Sequence, residues 1–478
     1  MNGRAPWVVL ALAAILMVFV GVDRRELDGT TAFYAALSAQ VADTGQLMPI
    51  QHGPAPYVLK PPLMFWGTAA VYEVFGVSPW TQTVLSRSFG ILCIAFVVLL
   101  TVFRDGPVYG RAHALTAGWW AAMVLLASTV FLENTTTMRL DTILLAGLLM
   151  SFVAVFATEG AWRPWVFYLG ILLGTLGKGP PGLMPLALAP LLWERPYRIR
   201  WSWVVAALLL LPIPLWQLGL EHRLGTAFAE LGADLAAGRW RGWGVWFESS
   251  FNHVIKRPLE SSPHIAVLAF FAIRHAWGRW RDPATTSRDR RGMIVLLSWA
   301  TLVVLATLVK PSQRLRYLLP ALPVLAVLIG SWIAAKRPVW RPVSLPGAVV
   351  ALAALTWIMP IGWWPPNHRS AAARTEMVAA VEAEVPADER IILIETLRSV
   401  RYGRQWAGRD WSYLHLRREV EALAPEEAAA RGGRLALVHH QSFDRVPEEL
   451  MADVIAGTAK ARLVRIPVSV PGTGPTTP

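Results

Sequence analysis

Apolar residues run in long blocks along this chain. Blocks at 6–22, 86–103, 112–132, 140–158, 164–177, 181–193, 201–218, 263–277, 293–309, 317–335 and 345–363 are interrupted by short polar connections. Most approach the length a helix needs to cross a hydrocarbon core of roughly 30 Å, so eleven membrane spans are predicted. The first block leads into Asp23-Arg24-Arg25 with no small-residue cleavage site, and reads as an uncleaved span rather than a signal peptide. The pair around Lys178-Gly179-Pro180-Pro181 is the shortest and the richest in proline. Two intervals are long, 23–85 and 219–262. In the first, Phe33, Leu37 and Val41 recur every fourth residue, the spacing of one helix face. Such a helix would lie on the membrane surface, with a second short one over 63–75. After Trp363-Trp364-Pro365-Pro366 the pattern changes. The tail is charged, with strand-like runs at 391–395, 435–439 and 463–468, helical patterns between them such as 411–423, and a disordered end at 471–478. The predicted fold is therefore mainly α, a polytopic helical membrane unit over 1–366, with a small α/β domain over 370–478.

Composition agrees. Of 478 residues, 54% are apolar and 16% charged, too little charge for a soluble protein of this length. The one cysteine, Cys93, sits in an apolar block, so no disulfide framework exists. The net charge of +13 is explained by basic residues held in inside loops rather than by nucleic acid. With the N-terminus inside, those loops carry Arg104, Arg111, Arg163, Arg195, Arg198, Arg200, Arg279, Arg281, Arg288, Arg290, Arg291, Lys336, Arg337 and Arg341 against few acids. The tail then lies outside. The short outside loops should lack cations, yet they hold Arg139, Lys178, Lys310, Arg314 and Arg316. Lys256-Arg257 adds to them from the second long interval. Several cations on the wrong side of the topology rule point to an anionic ligand.

The chemistry-bearing candidates follow from that vestibule. Lys60 precedes Pro61-Pro62, which hold it extended, and a fixed ammonium at an interface suits a phosphate oxygen. Asp141 follows Arg139 at the outer end of a span, where an ionisable side chain is costly; a simple Arg139–Asp141 pair is the plainer alternative. Asp28, with Glu26 beside it, could orient or deprotonate a hydroxyl, or cap a helix. His439-His440 reads as an exposed strand end. No metal-ligand spacing, P-loop or nucleotide fingerprint is present, so neither a metal nor a nucleotide donor is indicated.

Four motifs occur in order: Tyr57-x-x-Lys60-Pro61-Pro62-Leu63, Arg139-Leu140-Asp141, Gly174-Thr175-Leu176-Gly177-Lys178-Gly179-Pro180 and Arg316-Tyr317-Leu318-Leu319-Pro320. Together they resemble glycosyltransferase family 39, of the GT-C fold, in its lipid A aminoarabinose-transferase and protein O-mannosyltransferase branches. The resemblance covers about 1–335; the tail matches only through Arg401-Tyr402-Gly403-Arg404. It implies a polyprenyl-phosphate sugar donor and transfer at the outer face of the inner membrane. It also implies that the two long intervals and the C-terminal domain are periplasmic. By resemblance Lys60 is the donor-phosphate lysine, and Tyr34, Tyr57 and Tyr317 line the cavity. Asp141 is the acid near the reacting centre, and Lys256 or Arg257 is a second phosphate cation. The family's first acid aligns with Thr30, so Asp28 fills that role two residues early, and Leu59 replaces a glutamate. The expected activity is transfer of a sugar to a lipid A, glycan or protein acceptor. Catalytic roles fall to Asp28 and Asp141, and phosphate contacts to Lys60, Arg139, Lys178, Lys256, Arg257 and Arg316. A lipid-linked sugar transporter and an inactive lipid-phosphate-binding scaffold are the alternatives.

Overall fold

The computed structural model describes residues 29–52, 55–157, 159–192, 201–225, 243–309 and 314–336, with a few positions between 8 and 15. In the tail it describes 368–386, 389–394, 420–439, 442–443, 446–458 and 461–467. The expected spans at 6–22 and 345–363 fall largely or wholly outside the described residues, as do Asp28, Lys310 and Arg401–Arg404.

The first long interval is folded rather than open. Helix α1 (Gly29–Thr44) leads into a hairpin of β1 (Ile50–His52) and β2 (Ala55–Tyr57), with Ile50 opposite Tyr57. Helix α2 (Leu63–Phe75) starts directly after the stiff Pro61-Pro62 pair. It stops at Gly76, whose φ of +74° suits glycine. The alanines of α1 let α2 and β1 approach closely, so α1 is buried over more of its surface than the Phe33–Leu37–Val41 stripe predicted. Ala32, Tyr34, Ala35, Ala36, Leu37 and Ala39 are all covered.

The bundle follows: α3 (Val84–Tyr109), α4 (Arg111–Leu126), α5 (Thr129–Thr136), α6 (Leu140–Phe156) and α7 (Arg163–Lys178). Short helical turns over 180–192 come next, interrupted by Pro180, Pro181, Pro185 and Pro190. Then come α8 (Trp201–Leu224), α9 (Pro263–Arg281), α10 (Ser287–Val309), a turn at Leu315–Ala321 and α11 (Leu322–Lys336). Among the described residues four helices are long and apolar enough to cross a membrane, and α4 with α5 adds a fifth if their 69° bend is one broken span. The chain is a multi-pass helical membrane protein.

Three expectations change. The block at 112–132 is not one straight helix: the Ser128 hydroxyl accepts the Phe131 backbone N–H and starts a new helix there. In the interval 219–262, residues 219–224 and 243–261 are helical. In the inside loops, Arg104, Asp105 and Asp289 lie on helices and are buried, because their charges pair with one another.

The core is built by α3, α4, α6, α10 and α11 around Trp299, which stacks on Phe152 with centroids 4.2 Å apart. In the tail, α12 (His368–Glu384) precedes a five-stranded sheet of order β4-β3-β5-β7-β6. Its strands are β3 (Ile391–Ile394), β4 (Val420–Leu423), β5 (Leu435–His439), β6 (Val454–Gly457) and β7 (Ala461–Arg465). Residues 420–423, expected to end a helix, are a strand parallel to β3. Val420 and Leu423 would share one helix face, but here they pack on opposite faces of the sheet. His439 is buried, not exposed, because β5 is a central strand.

Candidate functional site

The site begins with an approach of two backbones. Helices α6 and α7 pack antiparallel through small residues. A Cβ on Gly147 would fall 2.5 Å from the Gly170 carbonyl oxygen and 2.6 Å from the Gly174 nitrogen. One on Gly177 would fall 2.6 Å from Ile143 Cγ2. The Ser151 hydroxyl donates across the seam to the Phe167 carbonyl at 2.9 Å. Such small-residue seams are how helices meet closely in lipid. Here the seam fixes the start of α6 beside the end of α7.

That juxtaposition joins two candidates 37 residues apart: Lys178 donates to Asp141, with Asp141 buried and Lys178 nearly so. The plainer Arg139–Asp141 pair is thus replaced by Lys178–Asp141. Lys178 also lies over the Tyr317 ring, 5.2 Å from its centroid, and Arg316 approaches the same ring at 5.8 Å. Gly179, with φ of +95°, ends α7 and turns the chain back; a side chain there would touch Pro61 at 3.8 Å. The Lys60-Pro61-Pro62 loop therefore borders the same space.

Arg139 enters from the opposite wall. Its backbone is anchored to α3, since Ser86 Oγ accepts the Arg139 N–H at 3.1 Å and contacts its carbonyl at 3.4 Å. Sequence reasoning missed Ser86, whose only signal was a hydroxyl at the site end of an apolar block. The Arg139 Nη1 atom is buried with no hydrogen-bond partner. Its guanidinium lies within electrostatic reach of Arg316, Glu133, Asp141 and Tyr34.

The tyrosines form the floor. Tyr57 and Tyr34 share a side-chain hydrogen bond, and both are packed edge-on against Phe65. Burial pushes the Tyr34 hydroxyl above its usual range, with Arg316 pulling the other way. Burial raises Tyr57 further, and the contact with Tyr34 adds to it. Both are neutral donors at ordinary pH.

Thus Arg139, Lys178, Arg316, Asp141, Tyr34, Tyr57 and Tyr317 come together, with Lys60 on the adjoining loop. Arg139, Lys178 and Arg316 face two carboxylates, buried Asp141 and exposed Glu133. Lys256 and Arg257 do not join them. Their turn packs against the Leu315–Ala321 turn, but both side chains are exposed, and Lys256 lies 3.9 Å from Glu260. Asp28 lies outside the described residues. Among the described residues no cluster of three or more His, Cys, Asp or Glu gathers to hold a metal.

No family model and no curated protein matches the chain. Solved structures do. ArnT from Cupriavidus metallidurans in the apo state superposes with a TM-score of 0.67 and 16% identity, covering 97% of this chain and 98% of that one. The same protein bound to undecaprenyl phosphate gives 0.66 and 16%, covering 98% and 99%. The Archaeoglobus fulgidus oligosaccharyltransferase AglB, in complex with an inhibitory peptide and a dolichol-phosphate, gives 0.49 and 13%, covering 92% and 69%. The chain has the GT-C fold anticipated from its motifs, over nearly the whole length of ArnT.

Proposed function

We propose that this protein is an integral membrane glycosyltransferase that moves a sugar from a polyprenyl-phosphate donor to a lipid A, glycan or protein acceptor. The observation that carries the reading is the buried Arg139 Nη1 without a partner, in a cluster where Arg139, Lys178 and Arg316 outnumber the carboxylates Asp141 and Glu133. A buried guanidinium with unused donors is costly, and a phosphate would satisfy it. The likeness to ArnT, one of whose structures holds undecaprenyl phosphate, supports the same reading.

In this mechanism Arg139, Arg316 and Lys60 bind the donor phosphate. They stabilise negative charge as the bond between the anomeric carbon and the phosphate oxygen breaks. The acceptor oxygen forms the new bond from the opposite face, with inversion, and polyprenyl phosphate departs with the electron pair. The acceptor proton passes to Asp141 when the acceptor is a hydroxyl; an acceptor phosphate needs no such help. Asp28 is the second candidate for that role. No resident metal or cofactor is assigned, since the cations of the chain meet the charge. The reaction face is the outer face of the inner membrane, with the tail periplasmic.

The test is transfer of labelled sugar from polyprenyl-phosphate donors in vesicles carrying the purified protein. Transfer to an envelope acceptor, lost with Arg139→Gln in well-folded protein, is expected. No transfer across a panel of donors and acceptors would overturn the reading.

A further inference from the structure

A second polar cluster lies at the far end of the bundle. From Ser86, which anchors the candidate site, α3 runs 18 residues to Arg104, about 27 Å at the rise of an α-helix. That is close to the thickness of a hydrocarbon core. Arg104 is buried and reaches Asp105 at 2.6 Å, Ser331 at 3.0 Å and Asp289 at 3.4 Å. Arg279 reaches the other Asp289 oxygen at 3.2 Å, and Tyr109 donates to it at 3.1 Å. The Ser331 hydroxyl donates to Asp105 at 2.6 Å. Five helices are tied here: α3, α9, α10 and α11 by these bonds, and α4 through His113, 3.7 Å from Asp105.

Beside this network is a pocket between α9 and α11. Its polar lining is Arg104, Tyr109, His275, Arg279 and Ser331, and its apolar lining includes Ala272, Met293 and Leu328. The two carboxylates stand behind the guanidinium groups and do not line it. The Nε atoms of Arg104 and Arg279 are buried without partners. His275 lies within electrostatic reach of Lys336, Arg279 and Arg104 as well as Asp289. Arg104, Arg279 and Lys336 face Asp105 and Asp289, with Asp282 also within reach of Arg279, and none of these carboxylates lines the pocket. The outer face of α9 is apolar and exposed, with Val267, Phe270, Ile273 and Trp277. The pocket therefore opens next to a helix face suited to lipid.

We infer that this pocket binds a phosphate-bearing anion, the net-negative headgroup of a lipid in the leaflet opposite the candidate site, or free phosphate reaching the same donors. Basic pockets between spans are a recurrent home for anionic headgroups. A bound anion pairs with the guanidinium groups that line the pocket and adds a polar tie between α9 and α11 beside the Phe271–Trp332 stack.

The two sources are separated by titrating the full chain in neutral detergent with phosphatidylglycerol, with zwitterionic phosphatidylcholine, and with inorganic phosphate, reading the melting temperature. Phosphatidylglycerol should raise it saturably and phosphatidylcholine should not. If inorganic phosphate alone reproduces the rise, the site stands and its ligand is the free anion. Arg279→Gln should weaken the half-saturation point about ten-fold or more. Ala335→Trp, at an exposed pocket-lining position, removes no charge and should block the pocket equally; it carries the test if Arg279→Gln does not fold. Equal rises with both lipids, or both variants titrating as wild type, would overturn the inference.

Discussion

Asp141 and Lys178 form an ion pair, and each is a candidate for a different half of the reaction. Asp141→Asn should leave donor binding largely intact while turnover falls at least a hundred-fold with a hydroxyl acceptor, a loss of roughly 3 kcal/mol in transition-state stabilisation. Donor titration and single-turnover transfer, measured on the same preparation, separate the two. Equal loss of both would make Asp141 a structural partner of Lys178 only. Lys60 is the candidate for the other half. Lys60→Ala removes one charge-assisted contact of about 1.5–3 kcal/mol, so activity at low donor should drop about ten- to more than a hundred-fold. Lys60→Arg keeps the charge in a different shape and should recover only part. Initial rates across donor concentration check both, and wild-type rates for Lys60→Ala would remove it from the site. At this scale much was legible. Arg139, Lys178 and Arg316 stood out as cations where the topology rule wanted none, and Asp141 as an ionisable side chain at the outer end of a span. Their pairing was not legible, since Lys178 reaches Asp141 only through the way α6 and α7 pack.

Whole elements were read from periodicity where apolar blocks were long and bounded by proline or glycine. The α2 bounds at Leu63–Phe75 and the start of α6 at Leu140 follow from the sequence directly. The bend at Ser128 and the strand at Val420–Leu423 did not, because a hydroxyl cap and a spacing of three each fit more than one conformation. The α6–α7 seam gives the element-scale prediction. Gly147→Val would drive a side chain into the backbone of Gly170 and Gly174, atoms that cannot move without displacing α7. Overpacking of this kind costs about 1–3 kcal/mol or more. Since α7 carries Lys178, transfer should fall too, although Gly147 touches no substrate. Gly278 is the control: a Cβ there meets nothing, and alanine favours the helix it sits in. Gly278→Ala should match or slightly exceed wild type in thermal stability and transfer. A Gly147→Val protein as stable and active as wild type would show that the seam can open without cost to the site.

Across the molecule, charge gathers at both ends of the bundle, and each end holds buried guanidinium nitrogens without partners. At the candidate site cations exceed acids and one guanidinium nitrogen is unsatisfied, as suits a ligand site. At the far end Asp289 alone receives bonds from Arg104, Tyr109 and Arg279, and it is almost fully buried. Asp289→Asn keeps the shape but leaves two guanidinium groups short of a counter-charge. Removing one member of such a buried set is expected to cost about 3–5 kcal/mol, read as a large fall in melting temperature. The chemistry should respond differently. The site lies about 27 Å away along α3, so donor KM in the fraction that remains folded should stay within two-fold of wild type. Measuring both in one detergent preparation decides the matter. If KM rises in step with the loss of stability, the far network sets the geometry of the site through α3. If only stability falls, that network holds the helices together while substrate recognition is confined to the start of α6, the end of α7 and the loop carrying Lys60.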